Sequence, residues 1–147
     1  MTISTRFAVA IHTSGLLAFG DCMPVTSETI ARSVGTNPVV VRRVIGMLAR
    51  AGVVKVRKGQ HGGAVLARPA ASITLDEIFR AVEPGPLFEV PLPGPGHGCV
   101  IGRQVGPVLE RFFHRAEYSM LASLKGITLA EVIESVQQRV CSTHREQ

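Results

Sequence analysis

Hydrophobic residues recur at helical spacing in six stretches of this chain, and the pattern predicts a mainly α protein with one small β-hairpin. The first helix is expected over residues 4–19, with Ser4 as its N-cap. Ser27 is the candidate N-cap of a second, short helix, and Gly35 can take the left-handed conformation that ends such a helix.

A third helix is predicted almost immediately afterwards. Asn37 is placed to cap it, Pro38 suits its first turn, and Gly52 should end it after Arg50. Because only a few residues separate the second and third helices, the pair has the spacing of a helix-turn-helix. The expected buried face of the third helix consists of Val41, Val44, Ile45 and Leu48.

A β-hairpin is predicted next, since β-prone residues at 53–56 and 64–67 flank a segment with three glycines in seven residues. A hairpin that directly follows a helix-turn-helix is a wing. The predicted fold class is therefore a winged helix-turn-helix, followed by a long helix.

Two later helices share one start signal. Thr74 and Glu77 stand at the spacing of a capping box, and Thr128 and Glu131 repeat it. We interpret this repetition as the same capping motif used at two helices rather than as a domain repeat. The two helices are expected to end before Pro84 and near residue 140.

Between these two helices lie a segment rich in proline and glycine and then a long helix. From Pro84 to Gly98, nine of fifteen residues are proline or glycine, which excludes regular structure. The long helix follows, from about Arg103 to Leu124, and its apolar residues spread around more than one face. We expect a second copy to cover it, giving a two-fold homodimer. The residues expected at this interface are Val105, Leu109, Phe112, Phe113, Ala116 and Met120.

Three parts are predicted on this basis: a winged helix-turn-helix domain over 1–83, a Pro/Gly-rich loop over 84–101, and a dimerisation and C-terminal helix unit over 102–147. No apolar run approaches the roughly 20 residues that a membrane-spanning helix needs. The N-terminal stretch also lacks the features of a signal peptide. We therefore expect a cytoplasmic protein.

Charge is distributed unevenly along the chain. Between Thr29 and Leu75 there are eight lysines and arginines and no acidic residue, although the whole chain has 16 basic and 11 acidic residues. Clustering of one sign over so long a stretch is unusual for an ordinary solvated surface. This segment is therefore expected to bind a polyanion.

The third helix and the wing carry the residues expected to contact duplex DNA. The outer helix face can offer arginine to guanine and valine methyls to thymine in the major groove. The basic wing tip can lie along phosphates or enter a narrow minor groove, while its glycines mainly shape the turn. For any single arginine, a solvated helix face is the alternative. The predicted DNA-binding residues are Ser27, Asn37, Pro38, Val39, Val40, Arg42, Arg43, Arg57, Lys58, Gln60, His61 and Gly62.

Three segments carry a family resemblance: the wing VRKGQHGGAVLARP, the capped helix ITLDEIFRAVE, and the stretch CVIGRQVGPVLERFFHRAEYSMLASLKGITLAEV. Together with the helix-turn-helix they resemble the Rrf2 family of bacterial transcription regulators over nearly the whole chain. The resemblance implies a homodimeric winged-helix repressor or activator that binds a roughly palindromic operator. We expect a repressor.

Members of that family often sense a signal in the loop before the dimer helix, in several cases through an iron–sulfur cluster held by three closely spaced cysteines. Here only Cys99 lies in that region, and Cys22 and Cys141 are far away in sequence. A cluster normally needs four protein ligands, so we expect no cofactor. A thiol near His97 at a helix start instead predicts redox sensing by Cys99. A buried packing role for Cys99 and a small-molecule effector stay open.

Two other classes of function compete with DNA binding. A winged-helix module that binds an acidic protein would use the same basic face, but it would have little affinity for duplex DNA at moderate salt. An enzyme is disfavoured because no carboxylate pair, nucleophile and base couple or metal-ligand spacing appears in the sequence.

Overall fold

The computed structural model describes residues 3–20, 22–90 and 98–143. Over these residues the protein has six α-helices and one two-stranded antiparallel sheet, which confirms the predicted fold class. The elements are α1 (Ile3–Phe19), α2 (Ser27–Val34), α3 (Pro38–Arg50), β1 (Val54–Arg57), β2 (Gly63–Leu66), a 3-10 turn (Ala70–Ser72), α4 (Leu75–Val82), α5 (Val100–Lys125) and α6 (Leu129–Thr143).

Two of the predicted N-caps are wrong. The helix α1 begins at Ile3, so Ser4 already lies inside it. The helix α2 is capped by Thr26 rather than by Ser27, because Thr26 has the extended backbone of a cap and its hydroxyl accepts a hydrogen bond from the N–H of Thr29 at 3.3 Å.

The signals around α3 act as predicted. Gly35 ends α2 in the left-handed region with φ +74°. Asn37 caps α3, since its side-chain oxygen accepts a hydrogen bond from the N–H of Val39 at 2.8 Å. The chain therefore turns from α2 into α3 within residues 35–37, and the two helices pack against each other.

The core lies where α1, α3, α4 and the first turn of α6 meet. The predicted inner face of α3 is confirmed, because none of its four side chains is more than 7% exposed. Burial of one such side chain stabilises the fold by about 1.5–3 kcal/mol. The largest fully buried apolar side chains are Ile30, Leu48, Ile73, Ile78 and Leu129.

The wing is one antiparallel pair with Val54 opposite Leu66 and Arg57 opposite Gly63. The first strand starts and ends one residue later than predicted, because the N–H of Val53 donates to the carbonyl of Leu48 in α3 and not to the opposite strand. The second strand starts and ends one residue earlier than predicted.

Both capping boxes form. The backbone N–H of Thr74 donates to Glu77 Oε2 at 2.9 Å, and that of Thr128 donates to Glu131 Oε2 at 2.6 Å. The two helix starts also pair with each other as an antiparallel bridge. The chain that follows the long helix thus returns to the start of α4, and α6 packs on α1 and the 3-10 turn.

The long helix α5 begins at Val100, three residues before the predicted start. Cys99 makes this possible as N-cap, since its sulfur accepts a hydrogen bond from the N–H of Gly102 at 3.5 Å. Pro107 lies inside the helix. The helix α6 also ends later than predicted, at Thr143. Residues 84–90 form no helix or strand, as expected, and residues 91–97 of the same loop fall outside the described part.

One side of α5 packs on α4 and on the segment 84–90, where Phe88 stacks on Phe113 with ring centroids 4.9 Å apart. No α5 side chain is buried in the single chain over the described residues. In the parts of the chain that the structure covers, no helix is long and apolar enough to cross a lipid bilayer.

Candidate nucleic-acid interface

The outer face of α3 lies open to solvent. Val39, Arg42 and Arg43 are exposed near its N-terminal end, while Pro38 and Val40 are half-buried. The reason is the helical period, since the opposite stripe is occupied by the four core residues of α3. The apolar Val39 is 57% exposed, which is the arrangement expected of a side chain that touches a base rather than the core.

Asn37 and Ser27 are two predicted DNA-binding residues whose side chains also make local contacts. Asn37 is exposed, and its side-chain oxygen accepts the predicted capping hydrogen bond, so only its amide N–H groups can donate to another group. Ser27 is half-buried and is tied to neighbouring side chains instead of capping α2.

These neighbours form a small polar network on the predicted DNA-binding face. The guanidinium of Arg42 donates from Nε to Ser27 Oγ at 3.1 Å and from Nη2 to Glu28 Oε1. The hydroxyl of Ser27 in turn donates to Glu28 Oε2 at 3.2 Å. A hydrogen bond from its own backbone N–H, and then the Arg42 guanidinium, lower the pKa of Glu28 below its ordinary value. Glu28 is therefore ionised at neutral pH.

The tip of the wing is fully solvent-facing, with Arg57, Lys58, Gln60 and His61 all exposed. Gly62 is half-buried, and a Cβ at this position would lie 2.4 Å from the carbonyl oxygen of Arg57. The absence of a side chain at Gly62 is thus needed for the turn itself, in line with the shaping role inferred for the wing glycines.

The wing is joined to Val25, which precedes the N-cap of α2. The N–H of Val25 donates to the carbonyl of Ala64, and the N–H of Ala64 donates to the carbonyl of Val25, both at 2.9 Å. This bridge holds the base of the wing against the start of the helix-turn-helix. Nothing in the local sequence of Val25 signals the pairing.

Most of the positive charge of the segment 29–75 is unpaired. Of its eight basic residues, Arg42 pairs with Glu28 and Arg68 pairs with Glu77 at 2.7 Å. The other six make no ion pair with any residue that the structure describes. The surface therefore keeps an excess of positive charge that suits a polyanion.

The sensor candidates are only partly in view, because His97 lies outside the described residues. Cys99 is exposed at the start of α5, which does not match the alternative of a buried packing residue. Cys22 and Cys141 are also exposed free thiols. Over residues 3–20, 22–90 and 98–143, no three or more His, Cys, Asp or Glu side chains are grouped to hold a metal ion.

The predicted dimer residues of α5 divide into two sets. Val105, Phe112 and Ala116 are exposed, whereas Leu109, Phe113 and Met120 are half-buried. Phe113 is covered by Phe88 of its own chain. The exposed set belongs to one continuous apolar stripe along α5, which runs through Ile101, Val105, Val108 and Phe112.

A helix-turn-helix with an exposed basic face, followed by a basic β-hairpin, defines a winged-helix DNA-binding protein. The family model described as "Rrf2: Iron-dependent Transcriptional regulator" matches residues 3–135 of this chain. The chain therefore belongs to the Rrf2 family of DNA-binding transcription regulators, and the resemblance seen in the sequence is confirmed.

Individual relatives agree with this assignment. The chain is 35% identical over 131 residues to YwnA of Bacillus subtilis, which bears the name of an HTH-type transcriptional regulator; the match covers 89% of this chain and 96% of YwnA. A crystal structure described as a DNA binding protein shares 34% identity with a TM-score of 0.70, over 87% of this chain and 98% of the other. A transcriptional regulator from Lactobacillus plantarum shares the fold with a TM-score of 0.80 at 22% identity, over 97% of this chain and 96% of the other.

Proposed function

We propose that this Rrf2 regulator acts as a homodimeric repressor that binds a roughly palindromic operator. The observation that carries the proposal is the exposed face of α3 next to an exposed basic wing, in a segment whose positive charge is mostly unpaired. In a repressor, two such units bind half-sites one helical turn of DNA apart, and occupancy of the operator blocks transcription.

Base reading is assigned to the N-terminal half of α3. Val39 offers methyl groups to thymine, and Arg43, which has no ion pair among the described residues, offers a guanidinium fork to guanine. At the start of α3, these two residues are flanked by Asn37, Pro38 and Val40, which set the position of the helix against the DNA backbone. Phosphates are contacted by the wing residues Arg57, Lys58, Gln60 and His61. Gly62 permits the tight turn that brings the tip of the wing close to these phosphates.

The homodimer is supported by the apolar stripe of α5. Phe112 is 45% exposed and Val105 is 41% exposed on a helix that has no buried side chain of its own among the described residues. Exposed apolar area of this kind is removed from water most simply by the same helix of a second copy. The interface would include Val105, Leu109, Phe112, Phe113, Ala116 and Met120.

The test of DNA binding compares two substitutions on two duplexes. A duplex is first selected from a randomised pool by the wild-type protein, and a random-sequence duplex of equal length serves as reference. Arg43→Gln should reduce the preference for the selected duplex by about 1–3 kcal/mol. Lys58→Gln should weaken binding to both duplexes, and it should reduce the slope of log affinity against log salt concentration by about 0.9. Equal affinity of all three proteins for any duplex would contradict sequence-specific binding.

For the signal, we propose oxidation of Cys99. Its thiol is exposed and caps α5, so a disulfide with a cysteine of the partner would change the start of the dimer helix. Two thiols would lose two protons and two electrons to a peroxide, which is reduced to water or an alcohol and water. DNA binding should respond to hydrogen peroxide in wild type but not in Cys99→Ser, and the responses of Cys22→Ser and Cys141→Ser show whether either thiol is the partner cysteine.

A small-molecule effector is the second candidate signal, because an open cleft of about 930 Å³ lies between α5 and the end of α4. Its walls include Phe79, Glu83, His114 and Tyr118. A wild-type protein whose DNA binding does not respond to peroxide would turn attention to this cleft. The visible absorption of protein purified without chelator tests the expectation that no iron–sulfur cluster is bound.

A further inference from the structure

Glu28 is the only acidic residue between Cys22 and Leu75, and it stands on the surface that carries the predicted DNA contacts. A carboxylate there repels phosphates, so by charge alone it weakens binding to any duplex. Glu28 is 53% exposed and lies in the first turn of α2, where a negative charge suits the N-terminus of the helix. Its partner, Arg42, comes from the outer face of α3.

The pairing leaves one particular edge of Arg42 free. The guanidinium uses its Nε side, donating from Nε to Ser27 and from Nη2 to Glu28. None of the residues that the structure describes accepts a hydrogen bond from Nη1. The remaining N–H groups of Nη1 and Nη2 lie side by side at the far end of the group, and this is the fork that matches O6 and N7 of guanine.

An arginine at this place that no neighbour restrains would bind a phosphate instead of a base. Arginine side chains have many rotamers, so a free guanidinium on this face would bind the nearest phosphate oxygen of the DNA, and that contact carries no sequence information. A neighbouring carboxylate and hydroxyl that occupy one edge of the guanidinium remove that choice. Pre-organisation of this kind lowers the entropy lost when the correct base pair is bound.

We propose that Glu28 is a specificity-determining residue, which together with Ser27 holds Arg42 in the orientation that reads a base edge and keeps it from a phosphate. The inference rests on the proposed binding of duplex DNA and deepens it. Glu28 acts through Arg42 and is thus a positioning residue. Its negative charge lowers affinity for DNA in general and raises the ratio of correct to incorrect binding.

The test uses Glu28→Gln, which keeps the shape of the side chain and removes its charge. Its affinity is measured on the selected duplex and on the random-sequence duplex over a range of salt. We expect the affinity ratio of the two duplexes to fall roughly tenfold, the size of one lost base contact. We also expect tighter binding to the random duplex, with a salt slope steeper by about 0.9 for one added phosphate contact.

Two controls separate this role from a general effect of charge. Glu134→Gln changes net charge by the same amount on the exposed surface of α6, and should leave the affinity ratio unchanged. In a protein that already carries Arg42→Gln, the further change Glu28→Gln should not alter the ratio, because the group through which Glu28 acts is gone. Thermal unfolding confirms that each variant is folded.

Three outcomes would overturn the inference. Glu28→Gln could change the affinities for both duplexes by the same factor, or it could change them no more than Glu134→Gln does. It could also change the affinity ratio of the two duplexes in a protein that already carries Arg42→Gln. In each case a wild-type protein that prefers its selected duplex leaves the proposed function standing. A wild-type protein that prefers no duplex defeats the proposed function itself.

Discussion

Gly63 lies where the wing packs against Val25, just before the helix-turn-helix, and Gly63→Ala should destabilise this junction. Its φ is +155°, and a Cβ added there would lie 2.6 Å from the carbonyl oxygen of Val25 and 2.8 Å from the carbonyl carbon. Both are backbone atoms, and the reciprocal hydrogen bonds between Val25 and Ala64 hold them in place. The new methyl group therefore has no flexible neighbour to displace.

The magnitude follows from two contributions. An alanine in this backbone region stores about 1–3 kcal/mol of strain, and forcing a methyl group into a filled space adds about 1–3 kcal/mol. If the Val25 bridge opens instead, the loss is that of two hydrogen bonds, about 0.5–1.5 kcal/mol each. A net loss of about 3 kcal/mol corresponds to a fall in Tm of roughly 6–12 °C in a chain of this size.

Gly59→Ala is the matched control, because Gly59 also has a positive φ, +112°, but a Cβ there would meet no atom within 4 Å. It carries the strain without the clash. Thermal unfolding followed by circular dichroism should therefore rank wild type above Gly59→Ala and Gly59→Ala above Gly63→Ala. Identical Tm values for the two variants would refute the argument that the approach to Val25 requires glycine.

Three further predictions concern the core, the proposed dimer and the capping box. Leu48→Ala should lower the free energy of unfolding by about 2–5 kcal/mol in urea, since Leu48 is fully buried; a loss below about 1 kcal/mol would contradict the core position of α3. Phe112→Asp should give monomers in sedimentation velocity, whereas Tyr118→Asp, on another face of α5, should not; a persistent dimer would argue against this interface. Glu77→Gln should cost about 1 kcal/mol at neutral pH, because it replaces the charged acceptor of the Thr74 N–H and the Arg68 guanidinium by a neutral amide oxygen. Burial raises the pKa of Glu77, but hydrogen bonds from the Thr74 backbone and from Arg68 outweigh burial and lower it below the ordinary 4.5. The unfolded carboxylate therefore binds more protons, so the stabilisation is complete above about pH 4.5 and is lost as pH falls through the lowered pKa. Urea unfolding of wild type and Glu77→Gln should converge in acid, and a gap that stays constant to about pH 3 would contradict this.

Much of the fold could be predicted because its signals are local. The capping boxes at Thr74 and Thr128, the cap at Asn37 and the left-handed Gly35 each depend on residues within about four positions of one another. Where two candidates compete within one or two residues, as at Ser27, the backbone conformation decides, and the sequence prediction was wrong.

The candidate site was predicted only in outline. The basic segment and the outer face of α3 follow from composition and helical period, and most of their side chains are exposed in the structure. Glu28 was overlooked, because it lies just before the acid-free segment and 14 residues from Arg42. Its signal in the sequence is that it is the only carboxylate in that part of the chain, but its partner cannot be found from spacing.

The sequence alone therefore determined the order of elements, the inner and outer faces of the helices, the basic character of one segment and the family. Only the tertiary structure decided that Arg42 meets Ser27 and Glu28, that Val25 pairs with the wing, and that the starts of α4 and α6 lie side by side. The physical reason is the range of the forces involved. Caps, turns and helical periods act between neighbours along the chain, whereas these contacts join distant residues and exist only once the helices have packed.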